Sequence, residues 1–263
     1  MNLELRDISK SFTTRNGSVQ ALRNVSLAVS AGEFVCIIGP SGCGKSTLLN
    51  LIAGLENPDK GEILLDGKSV DRPGPDRTLM FQEAALFPWL TVKANVQFGL
   101  SAKKMSREKR EALSDEFLRL CHLSKFKNSY VHQLSGGMRQ RVALARALVL
   151  NPRMLLMDEP FAFLDAQTRE LLQSQLQMLW SLTHKAIIFV THNVREAVCL
   201  GDRVLVMTAR PGTFKKELRV DIPRPRHLSN IELIRLSNLL TQELRGEIQK
   251  IMCEEYDDEE HSA

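Results

Sequence analysis

No apolar run in this chain approaches the roughly 20 residues that cross a bilayer. The longest runs, such as Phe34 to Ile38 and Ala186 to Val190, are five residues each, so no transmembrane helix is expected. The first residues, Met1-Asn2-Leu3-Glu4-Leu5-Arg6-Asp7, mix acids and bases with no apolar stretch. A secretory signal is therefore not read there, and a cytoplasmic location is expected. Five cysteines (Cys36, Cys43, Cys121, Cys199, Cys253) form no CxxC pair, and the six histidines show no HxxxH spacing. Disulfide and metal frameworks thus lack support, and reduced thiols fit best. Aromatics are few at 6%. No internal repeat is found.

What remains is the balance of an ordinary soluble globular chain: 263 residues, 43% hydrophobic and 25% charged. Such a length buries a core without staples. The net charge of +4 conceals an asymmetry, because residues 254–260 hold six of the 31 acids and no base. Set against 35 Lys plus Arg, the 25 acids elsewhere leave a +10 body. Residues 101–153 alone carry twelve bases and four acids. Solvated helix surface is the preferred reading of that excess, with proximity to an anionic membrane leaflet as the alternative.

Continuous apolar runs at Phe34–Ile38, Met154–Met157, Ala186–Val190 and Val204–Met207 predict strands buried on both faces, hence a parallel sheet. Helical stretches over Ser46–Gly54 and Gln167–Thr183 supply the alternation of an α/β fold. The first 30 residues and Gly61–Gly67 instead alternate in polarity, which predicts a small antiparallel layer. Residues 88–150 read as an inserted helical subdomain, with Leu113, Phe117 and Leu120 on one helix face. Pro223 and Pro225 mark a boundary. Beyond it Ser229-Asn230-Ile231-Glu232 fits a capping box opening an amphipathic helix. The expected layout is therefore a domain over 1–222, a helical extension over 223–252 and a disordered acidic tail over 253–263. The extension is read as packing back on the core in preference to binding a partner.

Gly39-Pro40-Ser41-Gly42-Cys43-Gly44-Lys45-Ser46 fits G-x-x-x-x-G-K-[ST], straight after a buried strand and straight before a helix. Such a loop curls backbone amides around phosphates, and the helix start adds a positive dipole end. Lys45 is expected to reach the β- and γ-phosphates of ATP, Ser46 to offer its hydroxyl to Mg²⁺, and Thr47 to touch the α-phosphate. Cys43, amid amides and Lys45, is expected to be readily alkylated and shielded by nucleotide. Met154-Leu155-Leu156-Met157-Asp158-Glu159 places Asp158 at the carboxyl end of a buried strand, where it would hold Mg²⁺ through water. Glu159, next along, is the candidate base for the attacking water.

Leu134-Ser135-Gly136-Gly137-Met138-Arg139-Gln140 opens a further helix with exposed amides, a second anion site in one chain. It resembles the LSGGQ signature of ATP-binding cassette (ABC) proteins, with Met at the fifth position. The resemblance spans nearly the whole chain. It implies a P-loop NTPase core with a mostly parallel sheet, a small antiparallel β layer and an inserted helical subdomain. It also implies a head-to-tail dimer in which Ser135, Gly136 and Gly137 complete the ATP site of a second copy. Gln82 matches the Q-loop glutamine that reaches Mg²⁺ and the attacking water. His192 matches the switch histidine at the γ-phosphate, and Asp165 the D-loop at the dimer interface, although Phe163 replaces the family's small residue there. Phe12 stands where an aromatic stacks on adenine, with a place in the core as its alternative.

Leu86-Phe87-Pro88-Trp89-Leu90-Thr91-Val92, Asn95-Val96-Gln97-Phe98-Gly99-Leu100, Val206-Met207-Thr208-Ala209-Arg210-Pro211-Gly212 and Val220-Asp221-Ile222-Pro223-Arg224-Pro225-Arg226 look like the importer subgroup for nitrate, sulfonates and taurine. The resemblance implies an ATPase at the cytoplasmic face of the inner membrane, peripheral to it, with permease subunits and, through them, a solute-binding protein as partners. The Phe87–Leu90 patch suits docking of a partner helix, or else is core of the helical subdomain. One rival is a soluble ABC ATPase acting on nucleic acid or translation. Such proteins carry second cassettes, coiled coils or zinc modules that are not seen here, and no nucleic-acid partner is expected. The other rival is a module that binds ATP without cleaving it, against which Lys45, Asp158, Glu159 and His192 argue.

Overall fold

Alternating polarity in the first 30 residues builds two long strands, β1 (Leu3–Thr14) and β2 (Gly17–Val29), paired antiparallel from Leu3 opposite Val29. Leu3, Leu5 and Ile8 of β1, with Val25, Leu27 and Val29 of β2, are buried. β3 (Phe34–Ile38) is buried throughout and leads to α1 (Lys45–Ala53), which Gly54 closes in the left-handed region at φ 75°. β4 (Lys60–Leu65) and β5 (Lys68–Ser69) complete a four-stranded antiparallel sheet ordered β2-β1-β4-β5. A computed structural model describes the backbone of residues 2–14, 17–103 and 105–260, and side chains as far as Lys250.

The chain divides into two compact units, Met1–Pro73 with Ala186–Ala263, and Gly74–Lys185. The second unit holds β6 (Arg77–Met80), α2 (Val92–Gln97), α3 (Arg107–Leu120), α4 (Gly136–Leu148), β7 (Met154–Asp158) and α5 (Ala166–Thr183). Its strands pair in parallel, Arg77 opposite Met154 through Met80 opposite Met157. Between them the elements are helical. In α3 the buried residues are Ser114 and Leu118, one position on from the face the sequence suggested. Ser114 lies inside because its hydroxyl donates to the Arg110 carbonyl at 2.5 Å.

The first unit resumes with β8 (Ala186–Thr191), α6 (Val194–Leu200), β9 (Arg203–Met207), β10 (Phe214–Arg219) and α7 (Ile231–Glu260). β3 is flanked by β8 and β9, both parallel to it, and β10 joins β9 antiparallel. Mixed sheets with covering helices bear out the α/β reading and its antiparallel layer. The first turn of α7 is capped by Asn230, which accepts the Glu232 amide at 2.8 Å, so the cap sits one residue beyond the Ser229 of the expected box. α7 extends past the expected boundary at 252. The backbone of residues 253–260, read from sequence as disordered, continues this helix, because its Glu- and Asp-rich turns follow a helix already nucleated. Residues 261–263 lie outside the described residues. No helix among the described residues is long and apolar enough to cross a membrane.

Candidate functional site

Three parallel strands end together in the first unit, since Ile38 of β3 lies opposite Thr191 of β8 and Val206 of β9. Their carboxyl ends open on one edge, where ligands bind in open α/β sheets. The Gly39–Ser46 loop leaves β3 at that edge, and His192 follows β8. Gly44 caps α1 at φ 99°, and a Cβ there would come within 2.7 Å of Leu22 Cδ2 and 2.9 Å of the Ala21 carbonyl. Only glycine fits both constraints. Lys45, 6% exposed, donates to the carbonyls of Gly39 at 2.9 Å and Pro40 at 2.8 Å. The ammonium is thereby held within the loop, beside the free amides that begin α1. Ser46 is exposed at that helix start and Thr47 half-buried.

Cys43 departs from expectation. Its side chain is 1% exposed, and burial pushes the thiol above its ordinary range although Lys45 pulls the other way. Desolvation of the thiolate outweighs the nearby charge, which runs against the readily ionised thiol expected there. Phe12, on β1, is 36% exposed and has Lys10 Nζ 5.5 Å from its ring centre. It is therefore not a core residue, and the Lys10 ammonium lies over its ring. His192 is exposed, while the neighbouring Asn193 caps α6 by accepting the amides of Arg195 and Glu196.

In the second unit Met80 lies opposite Met157, which puts Gln82, Asp158 and Glu159 at one strand edge. Asp158 and Glu159 are half-buried and Gln82 is exposed. Glu159 takes φ 42°, a left-handed conformation disfavoured for a side chain of its size. Such strain gathers at functional positions. Ser135 caps α4 by accepting the Met138 amide at 3.3 Å. A Cβ on Gly137 would meet Thr168 Cγ2 at 2.3 Å, so this glycine lets α4 lie close to α5, whereas one on Gly136 would meet only Leu164 at 3.7 Å. Asp165 caps α5 through the Thr168 amide at 2.9 Å, a bond that holds its carboxyl below the usual range. Phe163, 76% exposed, projects near it.

Three residues with no role assigned from sequence organise this edge. Gln140 of α4 donates to the Pro160 carbonyl and, at 3.4 Å, to that of Gln82. Arg146 donates to the Ala84 and Ala85 carbonyls, each at 2.9 Å, and lies 5.6 Å over the Phe87 ring. Asn95, fully buried, accepts the Phe87 amide at 2.9 Å and donates to its carbonyl at 3.1 Å. The Gln82–Leu90 segment is thus fastened from two helices. The available signal was a polar residue on a buried helix face, which Gln140 and Asn95 both show. Phe87, Phe98, Met80 and Ala147 help line an adjoining cleft of 310 Å³.

The ABC transporter family model matches residues 22–162. The chain belongs to the ABC transporter family. The cassette is 47% identical over 223 residues to the nitrate import ATP-binding protein of Synechocystis sp., covering 85% of this chain and 84% of the relative. It is 47% identical over 219 residues to the taurine import ATP-binding protein of Roseobacter denitrificans, covering 83% and 82%. Among solved structures it resembles the dimeric post-hydrolysis state of an ATP-binding cassette bound to ADP and Pi, with TM-score 0.75 and 34% identity over 84% of this chain and all of that one. This ABC cassette is an ATPase.

Ser46 in the first unit carries a hydroxyl, and in the second unit Gln82 carries an amide oxygen and Asp158 a carboxylate. All are hard oxygens, the set that suits Mg²⁺. Among the described residues no three His, Cys, Asp or Glu cluster.

Proposed function

We propose that this cassette is the ATP-hydrolysing subunit of an importer for a small anionic solute such as nitrate, a sulfonate or taurine. It would work through partner permease subunits and, through them, a solute-binding protein. The observation that carries the chemistry is the strand-loop-helix cradle with Lys45 buried at its centre. Relatives named for nitrate and taurine import support the solute class. As an importer subunit the chain sits at the cytoplasmic face of the inner membrane, peripheral to it.

In this reading the amides of Gly39–Thr47 and the Lys45 ammonium bind the triphosphate, and Phe12 stacks on adenine. Ser46, Gln82 and Asp158 would hold Mg²⁺, which would supply charge neutralisation at the phosphates. Glu159 accepts the proton of the attacking water, Gln82 orients that water, and His192 contacts the γ-phosphate. Ser135, Gly136 and Gly137 present the α4 amides to the nucleotide of a second copy, and Asp165 meets that copy. A homodimer with two ATP follows. The cassette proper is residues 1–222 with its helical subdomain at 88–150, and the C-terminal extension from 223 carries α7, whose last turns hold the acidic residues 254–260. The Phe87–Leu90 loop receives a permease helix, for which the 310 Å³ cleft beside it is suited.

Deleting the gene should abolish uptake of one labelled solute among nitrate, taurine and alkanesulfonates, and Lys45→Ala should fail to restore it. Unaltered uptake of all three would overturn the solute class.

A further inference from the structure

The segment after β9 has no part in the reading above, yet it touches the phosphate loop from behind. Because β9 runs parallel to β3, Thr208–Thr213 emerges beside Gly39–Ser46. The turn is closed on itself. Thr208 accepts the Thr213 amide on its hydroxyl at 3.1 Å and donates that hydroxyl to the Pro211 carbonyl at 3.1 Å. Its far end is fixed to β2, with the Gly212 amide donating to Ala21 at 2.9 Å and the Arg23 amide donating to Gly212 at 3.0 Å.

Two contacts reach the loop itself. Arg210 donates from Nε at 3.2 Å and Nη2 at 3.0 Å to a single acceptor, the Gly42 carbonyl. Gly212 lies so close that a Cβ there would stand 2.0 Å from the Cys43 carbonyl. The carbonyl and amide of one trans peptide point in opposite directions. Drawing the Gly42 oxygen outward therefore aims the Cys43 amide inward, where it meets the Pro40 carbonyl at 3.4 Å. That is the side on which Lys45 bonds Gly39 and Pro40. The guanidinium thus orients a peptide of the anion cradle and adds positive potential behind it.

The same turn is held from the other side by α7. Glu247, 1% exposed, accepts the Ala209 amide at 3.1 Å and pairs with Lys215 at 3.1 Å and Lys250 at 2.9 Å. Its carboxylate is fixed by two cations and grips the residue before Arg210. We propose that Arg210 is a positioning residue for the phosphate loop, and that Glu247 sets its place, so that the C-terminal helix tunes nucleotide affinity through Ala209 and Arg210. This rests on the reading of Gly39–Ser46 as an ATP site.

The experiment uses the full chain, with Mg-ATP and Mg-ADP dissociation constants, ATPase kcat and KM, and the melting temperature without nucleotide. Arg210→Ala should weaken both nucleotides about three- to tenfold, the scale of a charge-assisted hydrogen bond open to solvent. The loss should fall on KM more than kcat, and Arg210→Lys should restore part of it. Glu247→Gln should weaken binding in the same direction, and its effect should vanish when combined with Arg210→Ala, because it acts through that residue. Unchanged dissociation constants in Arg210→Ala, or full additivity of the pair, would overturn the proposal. Failure of the unaltered chain to bind Mg-ATP would instead overturn the ATP-site reading. If Arg210→Ala melts before it can be assayed, Arg210→Gln, which keeps the stem and one donor amide, answers the same question.

Discussion

The Thr191 hydroxyl donates to the buried carboxylate of Glu196 at 2.7 Å and accepts the Asn193 amide at 3.0 Å. One oxygen therefore fixes the peptide that follows His192 and ties it to a carboxylate of α6. Thr191→Val keeps the shape and removes both bonds. The expected cost is about 1–3 kcal/mol of stability, since a buried carboxylate loses a donor. ATPase turnover at saturating ATP should fall with it, and Thr191→Ser should recover both. A valine variant with unaltered melting and turnover would show that this hydroxyl does not hold the histidine.

Glu159 occupies a left-handed backbone position directly after the strand-end carboxylate Asp158. Glu159→Gln removes the carboxylate proposed as the base and preserves size. Turnover should drop by about 10²–10⁴, the usual contribution of a positioned base, while ATP binding persists. Equilibrium binding beside steady-state hydrolysis separates the two, and near-normal hydrolysis would remove Glu159 from the mechanism.

The four cysteines with described side chains are buried and form no disulfide. Burial raises the thiols of Cys36 and Cys43 and pushes Cys121 up to about 12. Their thiolate fractions at neutral pH are accordingly small. Peptide-resolved iodoacetamide labelling of the folded chain at pH 7 should find Cys43 slow both with and without nucleotide, and faster as the pH rises toward its elevated value. Rapid modification at pH 7 would contradict the burial.

Gly136 and Gly137 stand side by side in the signature but differ in what surrounds them. Gly137→Ala drives a methyl to within 2.3 Å of Thr168 Cγ2, so α4 and α5 must part or Thr168 must turn. A loss of about 1–3 kcal/mol is expected. Gly136→Ala meets only an ordinary contact at 3.7 Å and should leave the melting temperature close to that of the unaltered chain. Equal melting of the two variants would refute the distinction.

The parallel strands were legible because Phe34–Ile38 and Ala186–Val190 are unbroken apolar runs, a pattern that burial on both faces imposes. The phosphate loop was legible because glycine spacing is a local backbone requirement. Side-chain hydrogen bonding hid other features. Ser114 reads as a polar surface residue until its bond to Arg110 is known, and the apolar face of α3 was consequently drawn one residue off. The state of Cys43 depended on burial, which the neighbouring Lys45 did not reveal. Gln140, Arg146 and Arg210 act on carbonyls 20 or more positions away, and a carbonyl leaves no mark in a sequence.

Because β3 is flanked by β8 and β9, the phosphate loop emerges from the ribosome long before its neighbours exist. All of Gly74–Lys185 must be synthesised before Thr191 can pair with Ile38 or Arg210 can reach Gly42. Until then the loop has only its own strand and β2, whose Ala21 and Leu22 lie against Gly44, and the pairing that encloses it is among the longest-range in the chain. Nucleotide bound at the loop would favour chains in which β8 and β9 have joined β3 over those in which they have not.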